Sequence, residues 1–534
     1  MLPVNWTAKG RAGTMAELTQ QDWDIVIIGG GISGAGLLFE ASRRGYKALL
    51  LEQNDFASGS SSRSSKLVHG GIRYLATGQF RLTRDAVKAR EKLCKQLPGL
   101  VDHLKILMPH YKDEAPSRLS FRLLMWFYDA LAGKRYHRGL TGQEAKQALP
   151  QLKTQQLYAA TEFQDAVTDD AFLTLRVLLE ASFLGGVAYN YCQASDIQSI
   201  ETPRRYFSVK VTPEDMPAFR VRCKQVIHAE GAWTKSPDAS IHQFKVRPLR
   251  GSHLLISARK LPLTQALCLF HPDDNRLMFA LPWQGQILAG TTDLDHKSSL
   301  GLPVRMQPEE QQYLLKALNH YFPASALTER DCISAWSGVR PVLSKLKADN
   351  KPSAEAREHQ VWWQNGQLYL CGGKLTTFQK MATDAINQIT FKPDIPISKP
   401  WRELGNINQF DASTQNIPEN IQQRYGVVTA TALHQFEPVS KKLNSSLYYE
   451  AEIVWHLTHF SVQHLDDLML RRTHLGLLLP EGGQEVLPTI KSLCVKHLGW
   501  TEAHWQLEKA KYLSLIEYCY QPYRAKNRDE KTGA

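Results

Sequence analysis

At 534 residues, with 43% hydrophobic, 22% charged and 9% aromatic residues, the chain has ordinary globular values that exclude a disordered or fibrous protein. The length predicts about three lobes, or one large lobe with insertions plus an appendage, and excludes a single small core. Lys and Arg number 64 against 52 Asp and Glu, a formal charge of +12 that suits phosphate-bearing ligands, anionic lipid or nucleic acid. The eight cysteines contain no C-x-x-C pair, so neither a disulfide framework nor a metal site is expected, and a reducing cytosolic setting fits best.

The first 20 residues place Lys9 and Arg11 after a weakly apolar stretch and contain no apolar signal core, so no signal peptide is expected. Met15 offers an alternative start, and residues 1–21 are read as a disordered extension. No run reaches the roughly 20 apolar residues that span a bilayer. Any membrane contact is therefore expected to be peripheral.

From Asp24 the sequence reads DIVII, then GGGISGAG, then LLFEASRRGYKALLLE, which predicts strand, helix and second strand. Gly29, Gly31 and Gly34 supply the G-x-G-x-x-G spacing. The first permits a tight turn, the second admits a pyrophosphate, and the third packs helix on strand, with the helix N-terminus facing the phosphates. Glu52 ends the second strand, where a carboxylate can accept from both ribose hydroxyls and repel a 2′-phosphate. FAD and NAD share this fingerprint, and these residues do not separate them.

Next comes DFASGSSSRSSKLVHGGIRYL from Asp55, in which Ser58, Ser61, Ser62, Ser64 and Ser65 offer donors and Lys66 adds charge. With SGVRP (337–341) and GGKLTTF (372–378), it resembles the FAD-dependent, quinone-linked glycerol-3-phosphate dehydrogenases of the D-amino-acid-oxidase-like flavoprotein superfamily, over residues 22 to about 520. The resemblance implies an α/β fold: a discontinuous Rossmann-like FAD domain interleaved with an antiparallel substrate sheet (22–401), then an all-helical C-terminal domain (402–534). The chain's own punctuation agrees. VIHAEGAW (226–233) and QLYLCGG (367–373) read as strands running into small-residue turns, whereas SHLLIS, RLMFALPW and QILAGTTD alternate as antiparallel strands do. Beyond the Pro-rich 391–401 the spacing turns helical.

The resemblance further implies cofactor contacts at Gly29, Gly31, Ser33, Gly34, Glu52, Ser61, Ser62, Ser65, Lys66, Leu67, His69, Gly70, Gly231, Gly373, Leu375 and Thr376, and substrate contacts at Arg73, Tyr74, Arg276, Arg340, Arg357 and Lys374. Arginine suits a phosphate because its planar fork pairs two oxygens, and Lys374 lies at a predicted helix start that attracts anions. His69 and His253 are the two candidate proton acceptors, with Arg340 and Lys374 completing the expected catalytic set. Four positions depart from the family pattern: Glu230 stands where a small residue is usual, Phe378 and Gln379 where Tyr and Arg are common, and Phe172 where Arg often follows Asp-Asp-Ala.

The activity so implied is oxidation of sn-glycerol 3-phosphate to dihydroxyacetone phosphate, with electrons passed to quinone at the cytoplasmic face of the inner membrane. RLSFRLLMWFYDAL (118–131), flanked by Arg118, Arg122, Lys134, Arg135 and Arg138, reads as an amphipathic helix able to rest on anionic lipid. The alternatives are an amino acid or 2-hydroxy acid as substrate, or a catalytically weak flavoprotein. Nucleic-acid binding is not expected, since the charge is dispersed and no recognition module appears. The oligomeric state is open, a homodimer being one option.

Overall fold

The β-branched run Asp22–Ile28 is buried along its length after Asp22, as a strand covered on both faces must be. It forms the middle of a parallel sheet, flanked by Ala48–Leu51 on one side and Phe219–His228 on the other. Val187–Tyr189 extends the first edge and Gln367–Gly372 the second, so segments far apart in sequence complete one nucleotide-binding sheet. A hairpin, Cys192–Ile200 and Tyr206–Pro213, joins antiparallel to Phe219–His228. The helix Ile32–Arg43 is buried nearly all round because it lies between this sheet and the helices Asp170–Phe183 and Phe378–Ile386. We describe the protein from a computed structural model that covers residues 6–7, 10–72, 75, 78–112, 114, 116–201, 205–346, 358–395, 421, 424–425, 441–443 and 446–524.

A second sheet is built almost wholly from antiparallel pairs, including the expected neighbours Phe244–Ile256, Gln286–Gly290 and Leu277–Trp283. Cys332–Lys345, which carries the SGVRP segment, lies along the full length of Phe244–Ile256. The helices Glu450–His459, Leu487–Leu498 and Glu502–Leu515 follow. Their apolar faces share one core with this sheet, which includes Trp283, Trp336, Leu468, Trp505 and Tyr520. The boundary expected at 401/402 lies outside the described residues.

The described residues of the N-terminal segment, expected from sequence to be a disordered extension, pack against the rest of the chain. Trp6 is fully buried, stacked on Phe56 at 5.5 Å and edge-on to Phe460, and Arg11 donates to Asn190 Oδ1 at 2.8 Å. Met15 and Leu18 complete a core with Trp23. Three apolar anchors and one buried arginine hold the segment, and its mixed composition concealed them.

Candidate active site

The two sheets and the C-terminal helices enclose a cleft of about 1200 Å³, lined by the glycine turn, the serine-rich loop, the SGVRP strand, the 373–376 turn and the helices around His464 and Glu508. Ordinary ligand pockets run to roughly 300–1,000 Å³, so this one has room for a dinucleotide and a small substrate together. Its glycine end is a cradle that side chains would fill: a Cβ on Gly34 would lie 1.8 Å from the Gly29 carbonyl oxygen, and one on Gly31 would lie 3.0 Å from Ser61 Oγ. Ser61 Oγ accepts from the Ile32 N–H at 2.9 Å, fixing the serine loop against the helix start.

Of the expected cofactor contacts, Gly29, Gly31, Ser33, Glu52, Ser61, Ser65, Leu67, His69, Gly231, Gly373, Leu375 and Thr376 line the cleft. Glu52 accepts from the Gly30 and Asn54 N–H groups at 2.6 and 2.9 Å, which leaves carboxylate lone pairs for further donors. Gly34 acts through helix packing, Ser62 is buried behind the loop, and Gly70 is covered by Tyr128. Lys66 departs from expectation. It is fully buried, with Nζ 2.6 Å from Asp170 Oδ1 and 2.7 Å from the Ser62 carbonyl oxygen, between the rings of Trp283 and Trp336. A positive φ of 58° turns it inward, where the buried Asp170 neutralises it, so it braces the loop without lining the cleft.

Arg276, Arg340 and Lys374 all line the cleft. A group that sequence reasoning missed organises two of them: Asp293, whose buried carboxylate lies 3.2 Å from Arg340 Nη1 and 3.4 Å from Arg276 Nη2. Arg340 also donates to Thr291 Oγ1 at 2.8 Å, and its guanidinium occupies the space that a Cβ on Gly251 would need. One carboxylate between two guanidiniums fixes both in the cleft wall, where planar forks suit a phosphate or carboxylate. The only sequence signal was an acid directly after QILAGTT, with Asp295 two residues on. Arg73, Tyr74 and Arg357 lie outside the described residues.

The two histidines differ in placement. His69 lines the cleft, whereas His253 is 1% exposed and sits one layer behind, with Nε2 2.8 Å from Oγ of the cleft-lining Ser65 and its ring stacked on Trp336. Burial, with Arg340 and Lys66 nearby, pushes His253 well below the usual histidine range and keeps it neutral.

The four departures are structurally accounted for. Phe172 fills an aromatic core with Tyr425 and Phe460, Phe378 is fully buried, and the Gln379 amide donates to Gln96 Oε1 at 2.8 Å, so none of the three lines the cleft. Glu230 does line it, with its carboxylate 3.1 Å from His228 Nδ1.

The helical domain closes the nucleotide end through His464, which lies 3.1 Å from Glu508 and 2.9 Å from Glu214 on the hairpin beside the cleft. Burial alone would lower this histidine, but hydrogen bonds to Glu508 and Glu214 and the nearby Asp467 outweigh it and raise it to about 9. A raised value contributes stability that is complete below the unfolded pKa of about 6.5 and lost as pH rises through the folded value. Thermal unfolding of the wild type is therefore expected to lose stability between about pH 6.5 and 9, and His464→Gln is expected to lack that slope.

Comparison with known proteins fits this arrangement. Residues 24–377 match the FAD dependent oxidoreductase family, and residues 367–505 match the C-terminal domain of alpha-glycerophosphate oxidase. The aerobic glycerol-3-phosphate dehydrogenase of Staphylococcus aureus (strain USA300) is 31% identical over 493 residues, covering 85% of this chain and 87% of its own. The chain belongs to the aerobic glycerol-3-phosphate dehydrogenase family of FAD-dependent oxidoreductases. FAD is its cofactor, and the glycine cradle and the cleft fit that group. The fold is likewise similar to a solved glycerol-3-phosphate dehydrogenase from Bacillus halodurans, with TM-score 0.73 at 23% identity, covering 96% of this chain and 97% of that one. An L-alpha-glycerophosphate oxidase from Mycoplasma pneumoniae aligns over 71% of this chain and all of its own, with TM-score 0.54 at 19% identity.

Proposed function

We propose that this oxidoreductase converts sn-glycerol 3-phosphate to dihydroxyacetone phosphate and delivers the electrons to a membrane quinone. The observation that carries the reading is the pair Arg276 and Arg340 held on Asp293 in the wall of an FAD-sized cleft. Two forked cations suit a phosphate dianion, and relatives that carry this activity in their names align over most of the chain. Bound FAD supplies the two-electron acceptor for the hydride that leaves the alcohol carbon. Arg276, Arg340 and Lys374 fix the phosphate, and Arg340 also stabilises negative charge developing on the alcohol oxygen. His69 takes the hydroxyl proton, since His253 lies behind Ser65 and two neighbouring cations disfavour its protonation.

The acceptor assignment rests on the helix Arg118–Ala132. Phe121, Met125 and Tyr128 are buried on one face, while Leu119, Leu123, Trp126 and Phe127 form an exposed stripe beside Arg122, Lys134, Arg135 and Arg138. Among the described residues no helix is long and apolar enough to cross a membrane. This face rests on anionic lipid at the cytoplasmic side of the inner membrane. Vesicles containing anionic lipid are expected to bind the holoprotein, and the double variant L123D/W126D to bind roughly a hundredfold more weakly. Unchanged binding would remove the helix from the account.

Steady-state turnover tests the whole reading. With glycerol 3-phosphate, a short-chain quinone is expected to be reduced in step with substrate and almost no peroxide to appear. Peroxide formed in proportion to turnover would make oxygen the acceptor, and turnover of an amino acid or 2-hydroxy acid alone would displace the substrate.

A further inference from the structure

The turn His69–Gly70–Gly71 carries the proposed proton acceptor and is gripped on one side by Asp165, Arg90 and Tyr128, which the proposed reaction does not otherwise use. The Gly70 N–H donates to Asp165 Oδ1 at 2.8 Å. The same oxygen accepts from Arg90 Nη1 at 2.8 Å and from the Tyr128 hydroxyl at 3.3 Å. From the other side, Thr376 Oγ1 donates to the His69 carbonyl oxygen at 3.4 Å. The fit leaves no slack, because a Cβ on Gly70 would lie 1.9 Å from Tyr128 Oη, and Gly71 has a φ of +84°. Arg90 is itself immobilised: it is fully buried, donates to the Gln164 carbonyl oxygen at 3.0 Å and lies 4.6 Å from the Tyr136 ring centroid. Asp165, 2% exposed on the strand Leu157–Thr168, is thus a fixed post in the cleft wall.

We infer that Asp165 is a positioning residue, which by accepting the Gly70 N–H sets where His69 meets the substrate hydroxyl. The inference rests on the proposed role of His69. It separates two functions of one carboxylate, since an Asn side chain keeps an acceptor for Gly70 but gives up the charge opposite Arg90, whereas Ala gives up both.

The test compares Asp165→Ala with Asp165→Asn in the FAD-loaded enzyme, by kcat and KM for glycerol 3-phosphate and by the visible spectrum of the bound flavin without substrate. Asp165→Ala is expected to lower kcat by about 10- to 100-fold, with KM changed by less than about threefold, and to shift the flavin spectrum. Asp165→Asn is expected to recover kcat to within about threefold of wild type and to restore the spectrum. Equal impairment in both variants would mean that Asp165 serves only to balance Arg90, and wild-type behaviour in both would mean that the turn needs no anchor; either overturns the inference. Where the buried arginine prevents Asp165→Ala from folding, the same pair in an Arg90→Met background gives the comparison. If glycerol 3-phosphate is not the substrate, the wild type itself fails to turn over, while the substrate-free spectra still separate Ala from Asn.

Discussion

Replacing Arg340 by alanine is expected to cost about 3 kcal/mol in transition-state binding of the phosphorylated substrate, roughly a hundredfold in kcat/KM, with FAD still bound. The magnitude follows from what the guanidinium does. It pairs with the buried Asp293 and donates to Thr291 Oγ1, so its removal takes one of the two forks proposed to hold the phosphate and one of the guanidiniums on Asp293. Lysine at the same position restores charge without the fork and is expected to recover only part of the loss. Steady-state kinetics on glycerol 3-phosphate, with flavin content measured alongside, checks the result. An efficiency within about threefold of wild type would remove Arg340 from substrate binding.

The second large effect lies away from the chemistry. Asp55, on the loop after the Ala48–Leu51 strand, is fully buried and paired with both Arg471 and Arg472 of the helical domain. Burial alone would raise its carboxyl, but Arg472 and Arg471 outweigh that and hold it below the ordinary range. The resulting stability is present above the unfolded value of about 3.9 and lost as pH falls through the folded one. Asp55→Asn takes the direct carboxylate partner from the buried Arg472, while Arg471 keeps Asp466 and Asp467, and at neutral pH it is expected to cost about 3–5 kcal/mol. Denaturant unfolding of the holoprotein at pH 7 measures this, and a change under about 1 kcal/mol would show that the pair contributes little net stability.

What the sequence disclosed and what it hid divide along one physical line. The glycine turn, the first two strands and the three alternating strands of the second sheet are local patterns, in which period and turn chemistry act within one segment. Asp293, Asp165, Asp55 and His464 are meeting points of distant segments, and nothing next to them in sequence marks the partner. Direction was equally hidden. Lys66 sits among serines that line the cleft yet points inward to Asp170, and Phe172, Phe378 and Gln379 look like lost substrate contacts but pack in the core. Trp6, Met15 and Leu18 show the same blindness for the N-terminal segment, because their burial depends on Phe56, Phe460 and Trp23.

Oxidation of a phosphorylated secondary alcohol at FAD is the reaction proposed for this cleft. Its most direct test is the visible flavin spectrum of the purified protein under anaerobic conditions, before and after addition of glycerol 3-phosphate, with unphosphorylated glycerol as control. The oxidised flavin band is expected to bleach with the phosphate ester and to persist with glycerol. A band that persists with both, or that bleaches only with an amino acid or 2-hydroxy acid, would contradict the proposed reaction.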